Sequence, residues 1–415
     1  MSFDLDAVRA QFPALAIKDD GVRRIYLDNP AGTQVPRTVA DAMSACLLSA
    51  NANLGGYFRT SQAAGEIVSS ARDAMADLLN APSSDEIVFG QNMTTITMHI
   101  SRSIGRLLRP GDEIILSRMD HDANVWPWAM LAKDLDLKVT WLPFNIDTFE
   151  FDLEVLDNLI TERTRLLCVG GASNLTGTLN DVTTICAKAR AAGALTYIDG
   201  VQSVPHVATD VQAIGCDFLV CSPYKFFGPH QGVLWGRREL LEKLEPYKVR
   251  PAASAIPECF ETGTQSHEGF AGIKAAVDYL AWIGESMAGA TSGRPALRAA
   301  METLFAYEKS LAAQLIEGLL DIDGVTVQGI TSPDAFDRRV PTVAITHDRT
   351  EPAHIAESLA RENIFVWKGH NYAIEAAKAL NIYETGGAVR IGPVHYNSAQ
   401  EIDETLAALR RILGR

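Results

Sequence analysis

Long apolar runs are missing from this 415-residue chain, and with them any segment that reads as a membrane-spanning helix. The first residues also lack the basic start and apolar core of a secretory signal, so the cytoplasm is the expected compartment. Cysteine is scarce: Cys46, Cys168, Cys186, Cys216, Cys221 and Cys259 show no CxxC spacing, and none follows Cys259. Free, mostly buried thiols are expected, with no disulfide framework and no metal site. Positive charge is in deficit, with 37 Lys and Arg against 51 Asp and Glu and a formal charge of -14. That balance disfavours nucleic acid or an acidic membrane as a partner of the whole surface. A GxGxxG fingerprint is absent from the early β–α turns, which argues against a dinucleotide-binding protein. There is no internal repeat and no low-complexity tract.

One lysine stands out against this background. Phe218-Leu219-Val220-Cys221 reads as a buried strand and Gly228 to Trp235 as a turn and a second strand, so Lys225 falls where a sheet ends. An amine there can lose solvation, lower its pKa and condense with a carbonyl. Upstream, the apolar strand Ala194 to Ile198 ends in Asp199, and Arg165 to Val169 runs into a turn that carries Asn174. Pyridoxal 5'-phosphate (PLP) requires a carboxylate at its pyridine nitrogen for the ring to act as an electron sink. Asp199 suits that task, and Gln202 and Asn174 suit the ring hydroxyl. Ordinary readings exist for each: Asp199 as a helix cap, Asn174 as a turn former, Gln202 and Lys225 as solvated side chains.

The order and spacing of these segments resemble those of class V aminotransferases, the fold-type I PLP enzymes that include the cysteine desulfurases. The likeness runs through most of the chain. Tyr26-Leu27-Asp28-Asn29-Pro30-Ala31-Gly32-Thr33 resembles the family's opening motif, Thr94-Thr95 its phosphate-binding pair, and His121 its ring-stacking histidine. Glu261 to Gln265 is similar to the loop that crosses a dimer interface to the partner's cofactor phosphate, and Arg390 to the arginine that grips the substrate α-carboxylate. The resemblance implies a homodimer with Thr264 reaching the partner's site. It also implies Lys225 as the Schiff-base lysine, and Ser222 and Tyr224 as further cofactor contacts. Asn29, His370 and Tyr372 join Arg390 on the substrate side.

General physical grounds accompany these roles. Thr94-Thr95 follows the strand Glu86 to Phe89 and opens a helical pattern, so its amides and hydroxyls would face an anion; a helix cap reads the same way. Arginine is suited to a carboxylate through two parallel hydrogen bonds. An arginine flanking an edge strand is the alternative for Arg390.

The expected architecture is α/β, a PLP-dependent transferase of fold type I. A large domain over residues 26–284 has a mostly parallel sheet, with strands centred on Val88, Ile115, Val139, Leu167, Tyr197, Leu219 and Leu234. A smaller α/β domain comprises residues 1–25 and 285–415. Helices are expected near 4–11, 298–319, 353–361 and 399–413, and strands near 325–327, 342–345 and 364–366. The glycine-rich stretch Gly284 to Pro295 reads as a flexible connector or a loop near the domain junction.

The chain departs from the resembled family where a reaction is chosen. Desulfurases carry a nucleophilic cysteine on a small-domain loop; the comparable loop here, Val366 to Ala373, has Tyr372 at the best-matching position. A phenol cannot form a persulfide. Tyr224 replaces a usual histidine before the lysine, and Trp367 replaces a frequent arginine. The expected reaction is therefore β-elimination from an amino acid, a carbon–sulfur lyase in which Lys225 takes the α-proton. Transamination and epimerisation, the latter with Tyr372 or His370 as second proton donor, are the alternatives, and a noncatalytic PLP-binding protein is the non-enzyme reading.

Overall fold

The computed structural model describes residues 3–414. Seven strands form the main sheet: β1 (Ile87–Gly90), β2 (Glu113–Ser117), β3 (Lys138–Leu142), β4 (Thr164–Gly170), β5 (Leu195–Asp199), β6 (Phe218–Cys221) and β7 (Gly232–Gly236). Their spatial order is β1-β7-β6-β5-β4-β2-β3. Strand β7 runs antiparallel to β1 and β6, and the remaining pairs are parallel.

The central strands read as unbroken apolar runs because both faces are covered. Leu167, Val169, Ile198 and Leu219 join one core cluster, whereas Leu166, Cys168, Tyr197 and Val220 join the other. In chain order the principal helices are α1 (Arg37–Ser49), α2 (Arg59–Leu79), α3 (Met93–Gly105), α4 (Trp126–Leu135), α5 (Val182–Ala191), α6 (His267–Ala288), α7 (Arg294–Leu320), α8 (Pro352–Arg361) and α9 (Ala399–Leu413). Helices α3 and α4 cover one face through Ile96, Ile100, Ile104 and Trp128, and α2, α5 and α6 cover the other.

A second sheet of four strands has the order β8-β9-β11-β10, from β8 (Val325–Val327), β9 (Val343–His347), β10 (Trp367–Gly369) and β11 (Ala388–Ile391). Side chains of β11 alternate. Val389 and Ile391 pack with helices α7, α8 and α9, while Ala388 faces a cluster that includes Met119 and Leu175 from the loops of the large sheet. Arg390 shares the parity of Ala388, so the strand's period of two aims it at those loops. It is also an interior residue: β11 is hydrogen-bonded on both sides, and no edge strand is involved.

Two expectations need correcting. The stretch from Gly284 is a loop only over residues 289–293, because α6 continues to Ala288 and α7 starts at Arg294. Glycine at 284 serves close packing instead: a Cβ there would lie 1.9 Å from the Ala296 carbonyl oxygen. The segment 364–366 also divides, with Ile364–Phe365 pairing in parallel with Ile25–Tyr26 and the chain joining the second sheet at Trp367. No helix among the described residues is long and apolar enough to cross a membrane.

Candidate active site

The C-terminal ends of β1, β2, β4, β5 and β6 open on a single cavity of about 320 Å³, within the size range of small-molecule sites. This is the edge at which α/β sheets present their loops to ligands. Each strand end delivers different chemistry. Thr94 follows β1, His121 follows β2, Asn174 follows β4, Asp199 and Gln202 close β5, and Ser222, Tyr224 and Lys225 follow β6.

Lys225 is only 9 % exposed. Its Nζ donates to the Pro30 carbonyl, which also accepts from Gln202 Nε2 at 2.8 Å. Desolvation, and then the charge of Arg390, lower its pKa to about 7 against the opposing pull of Asp199. Asp199 is pushed up to about 6 by burial, although its Oδ1 accepts the Val201 amide at 2.9 Å and Lys225 favours its charged form. Asp199 thus ties down the backbone after β5 while its side chain lines the cavity.

His121 Nδ1 accepts the Ala123 amide at 3.0 Å, capping a short turn, so the proton of the neutral ring resides on Nε2. Desolvation, with the charges of Lys225, Arg390 and His370, lowers its pKa to about 3. The Tyr372 ring stacks on it, with centroids 5.3 Å apart and planes inclined by 21°. Tyr372 itself is exposed, and its amide donates to His370 Nδ1 at 3.0 Å.

Arg390 is buried and its Nη1 donates to the Asn174 carbonyl at 2.9 Å. Desolvation lowers its pKa to about 10, with Asp28 opposing. Four buried polar atoms in this region have no protein partner: Arg390 Nε, Asn174 Oδ1, Asp28 Oδ1 and Asn371 Oδ1. Buried polar groups are ordinarily paired. One donor and three acceptors left open beside a half-neutral lysine fit a ligand that brings both a carboxylate and N–H groups.

Two sequence expectations meet a different geometry. Asn29 donates to the carbonyls of Tyr26 at 3.0 Å and Gly392 at 2.7 Å, and its Oδ1 accepts the Tyr396 hydroxyl. Its side chain is bonded within the fold, so Asn29 is a strut between the N-terminal motif and the second sheet. Thr95 gives its amide and its hydroxyl to Asn92 Oδ1, at 2.8 and 3.0 Å, and does not line the cavity as Thr94 does. Thr264 is exposed and borders a separate surface groove with Leu54 and Val249.

Sequence reasoning also passed over Asp120. It lines the cavity, accepts the Gly170 amide at 2.9 Å and Asn124 Nδ2 at 2.8 Å, and is pushed up to about 7, mainly by burial. Its position directly before His121 was the available signal.

Comparison with known proteins agrees with this architecture. Residues 25–405 match the family model described as Aminotransferase class-V. A cysteine desulfurase of Pectobacterium atrosepticum is 33% identical, over 99% of this chain and 98% of the relative. A cysteine desulfurase of Yersinia pestis is 31% identical over 99% of both. Among solved structures, the cysteine desulfurase CsdA of Escherichia coli superposes with a TM-score of 0.85 at 28% identity, covering 100% of this chain and 99% of that one. The apo cysteine desulfurase of Thermococcus onnurineus superposes with a TM-score of 0.87 at 26% identity, covering 100% and 98%. The chain belongs to the class-V aminotransferase family, its fold is that of the PLP-dependent fold-type I enzymes, and the family's cofactor is PLP.

Proposed function

We propose that this class-V aminotransferase family member is a PLP-dependent carbon–sulfur lyase that acts at the α-carbon of an amino acid by β-elimination. The observation that carries the reading is the buried Lys225 beside Asp199 in one cavity, with Arg390 from the second sheet near enough for its charge to lower the pKa of the lysine. The cavity fits the cofactor by its donor set. Lys225 would hold the aldehyde carbon, Asp199 the pyridine nitrogen, His121 a ring face, and Thr94 with Ser222 the phosphate.

When bound, PLP supplies an electron sink for the negative charge that develops at the substrate's α-carbon. The chain's own groups do the rest. A lysine with a pKa near 7 exchanges a proton at Nζ readily at neutral pH, which suits removal of the α-proton. Arg390 Nε has no protein partner and suits one oxygen of the substrate carboxylate. Asn174 is fixed by its own bond to the Asn371 carbonyl at 2.6 Å, and its buried Oδ1 has no protein partner.

The name shared by the relatives supports a sulfur-bearing substrate. The route differs from a protein-thiol route because every cysteine in the chain is buried and the loop beside His121 carries Tyr372. We read the active form as a homodimer in which Thr264 serves the partner's cofactor phosphate, consistent with its exposure beside Leu54 and Val249. Residues 26–284 then form the large unit, and residues up to 25 with 285–415 the small one.

A product panel tests the reaction. The holoenzyme is incubated with cysteine, cysteine conjugates and common amino acids. Pyruvate with ammonia is expected from a sulfur-bearing substrate. A keto acid that keeps the substrate's side chain, or alanine with sulfur left on the protein, would overturn elimination.

A further inference from the structure

The cavity has a directional layout that leaves one requirement unassigned. Asp199 closes β5, and β1 lies three strand spacings away in the order β1-β7-β6-β5, about 14 Å across the sheet. Helix α3 starts at the β1 end. Asn92 Oδ1 takes the Thr95 amide and the Asn92 carbonyl takes the Ile96 amide, and the two earlier residues, Met93 and Thr94, line the cavity. The first amides of a helix carry partial positive charge and lack intrahelical acceptors. That end therefore suits an anion, and the Asp199 end suits a protonated ring nitrogen.

A phosphate dianion asks for more than helix amides, yet mobile cations are missing from this end. Among the described residues lining the cavity, those able to carry a positive charge are Lys225, His121 and His230. His121 is held neutral by burial and by the charges of Lys225 and Arg390, and it stands at the end of β2, on the far side of Asp199 from β1. Lys225 sits beside Pro30 and is committed to the carbonyl chemistry.

His230 is placed differently. It precedes β7, the strand next to β1. Two residues on, Gly232 touches the start of α3 so closely that a Cβ would lie 2.4 Å from the Asn92 carbonyl carbon and 2.6 Å from the Met93 nitrogen. The absent side chain lets β7, and with it His230, approach the helix terminus. The imidazole lies face to face on the Tyr224 ring, with centroids 4.8 Å apart and planes inclined by 11°, so a neighbour of Lys225 fixes its plane.

We infer that His230, held by its stack on Tyr224, is a binding residue for the phosphate of the cofactor, completing an anion subsite with the first amides of α3. This rests on the PLP reading above. It assigns to an otherwise unclaimed histidine the side-chain N–H donor that the helix terminus alone does not supply.

The test separates the phosphate from the rest of the cofactor. Full-length apo-protein, wild type and His230→Ala, is titrated with PLP and with pyridoxal, which lacks the phosphate, and the dissociation constants are read from absorbance and fluorescence. Loss of a hydrogen bond to a charged group predicts a Kd for PLP weakened by roughly ten- to hundred-fold, with the Kd for pyridoxal unchanged. His230→Gln, which keeps an N–H donor, is expected to recover part of the loss. Unchanged PLP affinity, or equal weakening for both ligands, overturns the role of His230 while leaving the PLP reading intact. A wild-type protein that binds neither ligand overturns both. Because pyridoxal binding itself reports an intact site, misfolding of the variant is distinguished from loss of the phosphate contact.

Discussion

Replacing Lys225 with methionine is expected to stabilise the apo-protein, although it removes the residue on which catalysis rests. The buried ammonium is disfavoured by desolvation and by Arg390, so its pKa falls from 10.5 to about 7. At about 1.4 kcal/mol per pH unit, that shift penalises the charged form by roughly 5 kcal/mol. Methionine is of similar length, unbranched and uncharged, and it fills irregular spaces well. Two losses subtract from the gain. The Nζ bond to Pro30 is worth about 1 kcal/mol, although the Pro30 carbonyl keeps its bond from Gln202. Asp199 also loses the neighbouring charge that favours its ionised form. The net gain at pH 7 is then about 2–4 kcal/mol.

The sign of the pH dependence follows from proton counting. Below about pH 7 the lysine is protonated in both states and the native penalty is complete. Between about pH 7 and the unfolded value near 10.4, the unfolded chain binds a proton that the native state does not, so wild-type stability rises with pH. Above that window the penalty is gone. The advantage of Lys225→Met in urea unfolding of the apo-proteins is therefore expected at pH 7 and expected to have nearly vanished at about pH 10. A variant less stable than wild type at pH 7, or an advantage of equal size at both pH values, would refute a desolvated lysine.

Further outcomes follow from the same geometry. Arg390→Ala is expected to raise the KM for an amino acid by about a hundredfold, through loss of charge-assisted bonds to the carboxylate. Its cofactor absorbance should persist, and an unchanged KM would place the carboxylate elsewhere. Asp199→Asn removes the carboxylate expected at the pyridine nitrogen and should lower turnover by about a hundredfold or more, measured at saturating cofactor; near-wild-type turnover would contradict that role. Gly284→Ala introduces a Cβ against the Ala296 carbonyl, where only 1.9 Å is available. A stability loss of about 1–3 kcal/mol is expected in thermal unfolding; a neutral change would show that α6 and α7 can separate without cost.

Much of the fold was legible because burial on two faces writes itself into sequence as apolar runs. Val88, Ile115, Val139, Leu167, Tyr197, Leu219 and Leu234 all lie within strands of the main sheet. The three strand ends bearing Asn174, Asp199 and Lys225 come together at one cavity because β4, β5 and β6 are parallel neighbours. What was less legible was mostly the meaning of single residues whose partners lie far off in the sequence. Gly284 looked like the start of a connector or loop, since glycine lowers helix propensity, and only the approach of Ala296 explains it. Asn29 looked like a ligand residue because its hydrogen-bond partners, Gly392 and Tyr396, lie more than three hundred positions away. Thr95 looked like Thr94 because adjacency in sequence does not say which of two residues turns towards the cavity. Arg390 was ambiguous until the second sheet set its strand between two others.

The choice of elimination draws on the chemistry of the thiols as well as on the absence of one from a loop. A thiolate is the form that attacks sulfur, and all six cysteines are buried. Burial is the leading cause that raises the pKa of Cys46, Cys168, Cys186, Cys216, Cys221 and Cys259. Cys221, the one nearest Lys225 in sequence, is raised further by the charge of Asp199, so the group that serves the cofactor works against a nucleophilic thiol beside it. The small-sheet loop, for its part, is tied down. Asn371 and Tyr372 hold φ angles of 50° and 58°, a conformation that costs non-glycine residues about 1–2 kcal/mol each. The Asn371 carbonyl accepts Asn174 Nδ2 at 2.6 Å, and the Tyr372 carbonyl accepts the Asp122 amide at 2.7 Å. Those bonds offset the strain and pin the loop to two strand-end loops of the cavity, with the phenol against His121. Such a loop acts as a fixed wall that orients the imidazole, whereas a sulfur carrier needs both a thiol and freedom to swing away. On the proposed elimination route, sulfur expelled from the β-carbon would leave as a free product, which is the outcome the product panel measures.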